Sequence, residues 1–282
     1  MHIQAPAETV PIEVLDAVMQ AAYNAPSFRH QIEWYAAVET GDVVVATDGA
    51  TDGAAVLGTG CSIGYPDAGF GWVGLIATAP AHERQGIGRL VTQHLVDALA
   101  RRGCAAVLDA SVAGAPLYAR MGFVDHGATI GYLAPERAPT LSGAVAIATP
   151  ADIGAITAYD AAAFGADRGA LLRVLLGQFA GRAAVVRDIA GALAGYVVAQ
   201  HSSIGPLIVD DPATLGELVS FACTQTFTAR PRLYMPPESR HRAALEALGF
   251  EQFRELRHMR LGIDSLPGWT DRITARISLG VG

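Results

Sequence analysis

Residues 72–89, WVGLIATAPAHERQGIGR, constrain this chain more than any other stretch. An apolar run ends at Pro80, a polar link follows, and Arg84-Gln85-Gly86-Ile87-Gly88-Arg89 opens a helical pattern. That order is strand, loop, glycine-rich turn and helix, which points to a mixed α/β architecture. Glycines lack a Cβ, so successive backbone N–H groups can converge on an anion, and the helix N-terminus adds the positive end of its dipole. Arg84 and Arg89 flank the turn and can add charge-assisted hydrogen bonds. A turn of this composition is suited to hold a pyrophosphate.

The helix that follows places Val91, Leu95, Ala98 and Leu99 on one face and stops at Gly103. Ahead of the turn, Pro11 to Asn24 carries Ile12, Leu15, Val18, Met19 and Ala22 at helical spacing. Strands are expected near 34–39, 43–47, 54–63 and 70–78, separated by Gly/Asp/Thr clusters. Ala105 to Leu108 reads as a buried strand, then a short helix leads to Gly122-Phe123 and a further strand. Residues 136–143, ERAPTLSG, read as a linker. Beyond it, Thr149-Pro150-Ala151-Asp152 starts a helix to about Ala163, and Asp167 opens another near 168–178. A hairpin around Gly191 follows, then a strand at 204–209, a helix at 213–228 and a strand at 232–235. A helix at 239–248, a strand from Phe250 and a loosely patterned tail complete the chain.

The two halves match at two places. Gly74…Pro80…Gly88-Arg89-Leu90 aligns with Gly205…Pro212…Gly216-Glu217-Leu218, and Leu117-Tyr118 to Gly122-Phe123 aligns with Ala244-Leu245 to Gly249-Phe250. The offset is roughly 131 residues before the loop and roughly 127–128 after it, as a shorter second loop would produce. The chain reads as a duplicated domain, and its 282 residues suit two domains.

A formal charge of −7 argues against a nucleic-acid binder, which would show a basic face. Cys61, Cys104 and Cys223 are scattered in apolar surroundings and read as free thiols of a reducing compartment. No secretory signal is read in MHIQAPAETV, and no apolar run approaches the ~18 residues of a membrane span. A soluble cytoplasmic protein that contacts neither nucleic acid nor membrane is expected. No His/Cys cluster has ligand spacing, so no metal is expected.

These residues resemble the GNAT acetyltransferase superfamily. Its signature, Gln/Arg-x-x-Gly-x-Gly/Ala after the fourth strand, binds the pyrophosphate of acetyl-CoA. Here Glu83-Arg84-Gln85-Gly86-Ile87-Gly88 stands in that place, with Glu83 a departure at the first position. Pro116-Leu117-Tyr118-Ala119-Arg120-Met121-Gly122-Phe123 fits the family's tyrosine helix. Leu108-Asp109-Ala110-Ser111, Gly114-Ala115-Pro116-Leu117-Tyr118, Phe164-Gly165-Ala166-Asp167-Arg168 and Ile204-Gly205-Pro206-Leu207 resemble the tandem-domain subgroup.

The resemblance implies two tandem GNAT-like domains, each a mixed, mostly antiparallel α/β sheet flanked by helices. Residues 1–137 would bind acetyl-CoA as co-substrate, 143–264 would form a second domain lacking the pyrophosphate loop, and 265–282 would be the tail. Ile76, Ala77 and Thr78 would offer main-chain groups to the pantetheine arm, and Arg84, Gln85, Gly86, Ile87, Gly88 and Arg89 would hold the pyrophosphate. Tyr118 would be the general acid for the departing thiolate, since a phenol is protonated at neutral pH. The 70–78 strand has no carboxylate, so Asp109, Asp67 and Glu33 are the candidate bases. Asp109, at the end of a buried strand just before the tyrosine helix, reads first as a cap or brace of its loop and second as a base.

Phe164, Asp167 and Arg168 would contact substrate by resemblance; Asp167 is also a good N-cap and Phe164 suits a core. The corresponding second-half loop carries Asp210 and Asp211 and no arginine, Glu217 replaces Arg89, and Leu245 replaces Tyr118. One acetyl-CoA site per chain is therefore expected. The expected reaction is acetyl transfer to a primary amine, on a small molecule or a protein lysine. The alternative is a non-catalytic acyl-CoA-binding or sensor protein. The sequence leaves a homodimer open.

Overall fold

The computed structural model describes residues 2–4, 10–49, 54–140 and 145–282. The first half runs β1 (His2–Gln4), α1 (Ile12–Tyr23), α2 (Arg29–Ala36), β2 (Gly41–Thr47), β3 (Val56–Tyr65) and β4 (Phe70–Thr78). It continues with α3 (Ile87–Arg101), β5 (Ala105–Ala110), α4 (Ala115–Arg120) and β6 (Val124–Leu133). The second half runs β7 (Ala146–Ile147), α5 (Ile153–Phe164), α6 (Gly169–Gln178), β8 (Ala183–Arg187), β9 (Leu193–Ala199) and β10 (Ile204–Val209). Then come α7 (Pro212–Cys223), β11 (Arg232–Met235), α8 (Arg242–Ala247), β12 (Glu251–Leu261) and β13 (Ile273–Ala275).

The long helices form where the 3.6-residue period is clear. Leu15 and Met19 turn α1 inward, and Val91, Leu95, Ala98 and Leu99 do the same for α3. The strand expected at 34–39 is instead the end of α2 and the turn after it. Its aromatic run suggests β, but Ile32 and Tyr35, three residues apart, are both buried on one helical face. Trp34 Nε1 donates to Gln178 Oε1 at 2.6 Å, tying α2 to α6 of the other half.

Among the described residues the strands form two sheets, ordered β1-β2-β3-β4-β5-β12-β6-β11 and β13-β10-β9-β8-β7. All pairings between these strands are antiparallel except β4–β5. The halves are not laid side by side. β12 of the second half inserts between β5 and β6 of the first, and β6 pairs with β11 of the second. Each half therefore lends its last long strand to the other.

Residues 265–282 are loosely patterned in sequence, yet 273–282 are built into the interior, while Ser265, Pro267, Gly268 and Asp271 stay exposed. β13 pairs with β10 (Leu207↔Ala275, Ile208↔Ile273), while Arg276 N donates to Tyr234 O in β11 at 3.0 Å. The strand thus lies between β10 and β11. Beyond it, side chains from both halves donate to main-chain oxygens: Gln200 Nε2 to Ile277 (2.7 Å), Tyr35 OH to Gly280 (2.6 Å), Tyr65 OH to Val281 (3.1 Å) and Arg168 Nη1 to Gly282 (2.9 Å). Gly280 rests on Gly74 of β4, and a Cβ at Gly74 would overlap the Gly280 Cα and approach Tyr35 OH to 3.0 Å. Both neighbours are backbone or fixed by hydrogen bonds, so Gly74→Ala should lower stability by about 1–3 kcal/mol. Thermal unfolding measures this; an unchanged Tm would mean the segment does not pack there in solution.

Candidate active site

β4 and β5 run together only over Phe70↔Ala105, Gly71↔Ala106 and Trp72↔Val107. Past Trp72 they part, and β4 bulges against β3, where the register shifts between Thr59 and Cys61 and Leu75 takes a φ of 53°. A non-glycine residue in that region is strained, and such strain concentrates at functional sites. Ala79 N donates to Leu57 O at 2.8 Å, and Thr59 faces Ala77. Alternation along the strand then turns the main-chain groups of Ala77 toward β3 and those of Ile76 and Thr78 toward the gap. Of the three residues expected to present backbone there, two face it. Ala77 does not, because its groups pair with β3.

The turn after β4 is an anion cradle. Glu83 is extended, Arg84 has φ 60°, Gly86 has φ 86°, and α3 starts at Ile87. The first amide engaged is that of Leu90, donating to Gly86 O at 3.0 Å. The amides of Arg84, Gln85, Gly86, Ile87, Gly88 and Arg89 have no acceptor among the described residues. Six successive free N–H groups at a helix N-terminus, with left-handed residues among them, make a concave nest for an anion. Arg84, Gln85, Gly86 and Arg89 are exposed, whereas Ile87 is buried and anchors the helix. A Cβ on Gly88 would lie 3.7 Å from both Thr78 Oγ1 and Leu117 Cδ2, so the cradle adjoins the end of β4 and α4.

α4 carries Tyr118. Its ring packs on Phe123 (centroids 5.9 Å apart), and its hydroxyl makes no hydrogen bond among the described residues. Burial pushes the phenol up to about 12. Tyr23, the last residue of α1, donates its hydroxyl to Ile76 O at 2.7 Å. Burial raises this phenol strongly, and the nearby Tyr118 and Cys61 add to the effect.

The side chain of Asp109 on β5 is wholly buried and both its oxygens are engaged. Oδ1 accepts from Thr129 Oγ1 (2.6 Å) and lies 3.2 Å from His258 Nδ1; Oδ2 accepts from Arg276 Nη1. Burial would raise its pKa, but the Arg276 charge, His258 and Thr129 together hold the carboxyl well below its ordinary range. Arg260 Nε donates to His258 Nε2 at 3.1 Å. A guanidinium cannot accept, so a neutral His258 that takes this bond keeps its lone pair on Nε2 and its proton on Nδ1, which Asp109 Oδ1 and Arg276 Nη2 both approach to 3.2 Å. Burial and the Arg276 charge lower the His258 pKa, in keeping with this neutral tautomer. Arg260 continues to Glu238 Oε1 (2.7 Å) and Asp264 O (2.7 Å). The network joins β5 of the first half to β12 and the final segment of the second.

Of the other candidate bases, Asp67 is exposed in the turn between β3 and β4, and Glu33 bonds Arg29 and Gln178. Of the three candidate substrate residues, Phe164 and Arg168 meet in the interior, the guanidinium carbon 3.8 Å from the ring centroid, while Asp167 stays at the surface. Phe164 lies in an aromatic cluster with Tyr65, Phe70, Trp72 and Trp269. Arg168 is buried in a two-pronged pair with Asp160 (2.9 and 2.6 Å). Asp167 is exposed and accepts from Gly169 N at 2.6 Å, at the start of α6.

The second half lacks an equivalent cradle. Asp211 Oδ1 accepts from the amides of Ala213 (2.8 Å) and Thr214 (3.0 Å), so the chain's own carboxylate occupies the N-terminus of α7. Leu245, in place of Tyr118, is core, and β13 fills the space between β10 and β11. Tyr23, His258, Arg260 and Arg276 were missed in the sequence because no short motif contains them; only the folded chain brings them to this region.

Comparison with known proteins agrees with this architecture. The model described as "Acetyltransferase (GNAT) family" matches residues 11–123, and that described as "Acetyltransferase (GNAT) domain" matches 156–275. No curated protein matches the chain in sequence. Among solved structures, an acetyltransferase candidate from Pyrococcus horikoshii superposes with a TM-score of 0.83 at 23% identity, over 100% of this chain and 95% of that one. A GCN5-related N-acetyltransferase from Sphaerobacter thermophilus gives 0.63 at 14% identity, over 94% and 98%. The tandem GNAT protein from the clavulanic acid biosynthesis pathway gives 0.61 at 17%, over 94% and 100%. At these identities the likeness is one of fold. With a family model on each half, the chain belongs to the GNAT acetyltransferase family and carries two GNAT domains in tandem.

Proposed function

We propose that the protein is an N-acetyltransferase with one acetyl-CoA site, in its first half, that moves the acetyl group to a primary amine by direct attack. The observation that carries this reading is the run of six amides at 84–89, without an acceptor among the described residues, beside the opening between β4 and β5. A diphosphate would take the amides and the Arg84 and Arg89 charges, and the pantetheine arm would lie along the free edge of β4. The neutral amine nitrogen attacks the thioester carbonyl, a gap-facing N–H of β4 polarises the oxygen, the nitrogen releases its extra proton to solvent, which in turn restores the Tyr118 phenol, and the C–S bond breaks. Tyr118 donates its proton to the leaving sulfur; a phenol held near 12 is protonated throughout the neutral range. We assign Asp109 a bracing role rather than that of base, because both its oxygens are already taken. Free cysteines and a cytoplasmic setting fit this reading.

Calorimetric titration with acetyl-CoA tests it: one site per chain is expected, followed by CoA release with some member of an amine panel. Two equivalent sites would contradict the assignment of the second half, and no binding would sink the transferase reading. Binding without CoA release from any amine would favour a sensor. Tyr118→Phe keeps the ring and removes the proton. Turnover should fall by about 10²–10⁴-fold with acetyl-CoA affinity unchanged, and full turnover would remove Tyr118 from the chemistry.

A further inference from the structure

Among the described residues, Tyr23 is the one side chain that reaches the free edge of β4 through a hydrogen bond. The Ile76 carbonyl faces the gap, away from β3, and has no strand partner on that side. The Tyr23 hydroxyl donates to it at 2.7 Å from the end of α1, although 43% of the residue's surface is exposed. The ring lies open while the hydroxyl is turned in. The ring also packs on Phe28 (centroids 5.3 Å), just ahead of α2, and Asp16 holds this connection through Phe28 N (2.6 Å) and Ser27 Oγ (2.7 Å).

We propose that Tyr23 is an internal stand-in for the pantetheine arm: its hydroxyl satisfies the Ile76 carbonyl in the free protein and must release it when acyl-CoA enters. The inference rests on the acetyl-CoA reading given above. Pantetheine carries amide N–H groups, so it offers the kind of donor this carbonyl needs. An unsatisfied carbonyl in a half-buried gap is unfavourable, so an occupant is present in either state.

A stand-in makes a prediction opposite to that of a direct cofactor contact. Tyr23→Phe keeps the ring and its packing on Phe28 but removes the competing donor. The variant should bind acetyl-CoA about three- to tenfold more tightly than the wild type. ADP, which carries the diphosphate without pantetheine, should bind both proteins equally. Calorimetry with the full chain reads both ligands. Acetyl-CoA affinity that is unchanged or weaker in the variant would overturn the inference, as would a matching change in ADP affinity. A wild-type protein that binds no acetyl-CoA would remove the acetyl-CoA reading itself, an outcome visible before any variant is made.

Discussion

Gly86→Glu should abolish measurable acetyl-CoA binding, a loss of at least about a hundredfold in affinity, while the fold survives. Gly86 sits at φ 86° as the residue before α3, and nothing lies within 4 Å of a Cβ placed there. A side chain therefore meets no steric obstacle, and the left-handed backbone costs about 1–2 kcal/mol. The larger effect is electrostatic. A carboxylate at the mouth of six amides competes for the donors a diphosphate needs and repels its charge. The second half displays this arrangement naturally, with Asp211 on the first amides of α7. Gly86→Asn separates the two contributions, because asparagine tolerates the left-handed region without adding charge. Its affinity should stay close to wild type. Calorimetry with thermal unfolding as control reads both variants, and undiminished binding by Gly86→Glu would put the pyrophosphate elsewhere.

Asp109→Asn should reduce the free energy of unfolding by about 3–5 kcal/mol at neutral pH, the cost of leaving a buried charge without its partner. Asparagine matches the shape of aspartate, so the loss is one of charge. Arg276 is 1% exposed, and Asp109 is its only carboxylate partner among the described residues. The sign of the pH dependence follows from the lowered folded pKa. Asp109 contributes stability above its unfolded value, about 3.9, and loses it as pH falls through the still lower folded value. The gap between wild type and variant should therefore narrow below about pH 4. His258 acts at higher pH: its lowered pKa keeps it neutral in the fold, so protonation of the unfolded chain erodes stability below about 6.5. Denaturant unfolding across this range tests both. A variant of wild-type stability that had lost turnover would make Asp109 a base and not a brace.

The glycine turn and the tyrosine helix of the candidate site were legible because their information is local. Turn, helix start and tyrosine helix each occupy a short run, and their physics (free amides, a glycine at positive φ, a phenol on a short helix) is written in neighbouring residues. The buried network around Asp109 was not legible. Arg276 looks like any charged residue in an alternating Ile-Thr-Ala-Arg-Ile stretch, and only its pairing with Asp109 across the fold makes it core. The same holds for Tyr23, whose position at a helix end carries no motif. The final segment was read as unpatterned because several of its contacts run through main-chain oxygens, which no side-chain period reveals. Strand exchange is equally silent, since β12 would show the same residue pattern in either sheet.

That exchange bears on how such a chain is made. On a ribosome, the strand that separates β5 from β6 emerges last among the eight of the first sheet, after every catalytic candidate of the first half has left the tunnel. Until Glu251–Leu261 is available, β5 and β6 each lack this neighbour, and an unpaired edge is the hazard that chaperones guard. The two halves are therefore a duplication that can no longer be divided: a break at the linker would leave each piece holding the other's strand.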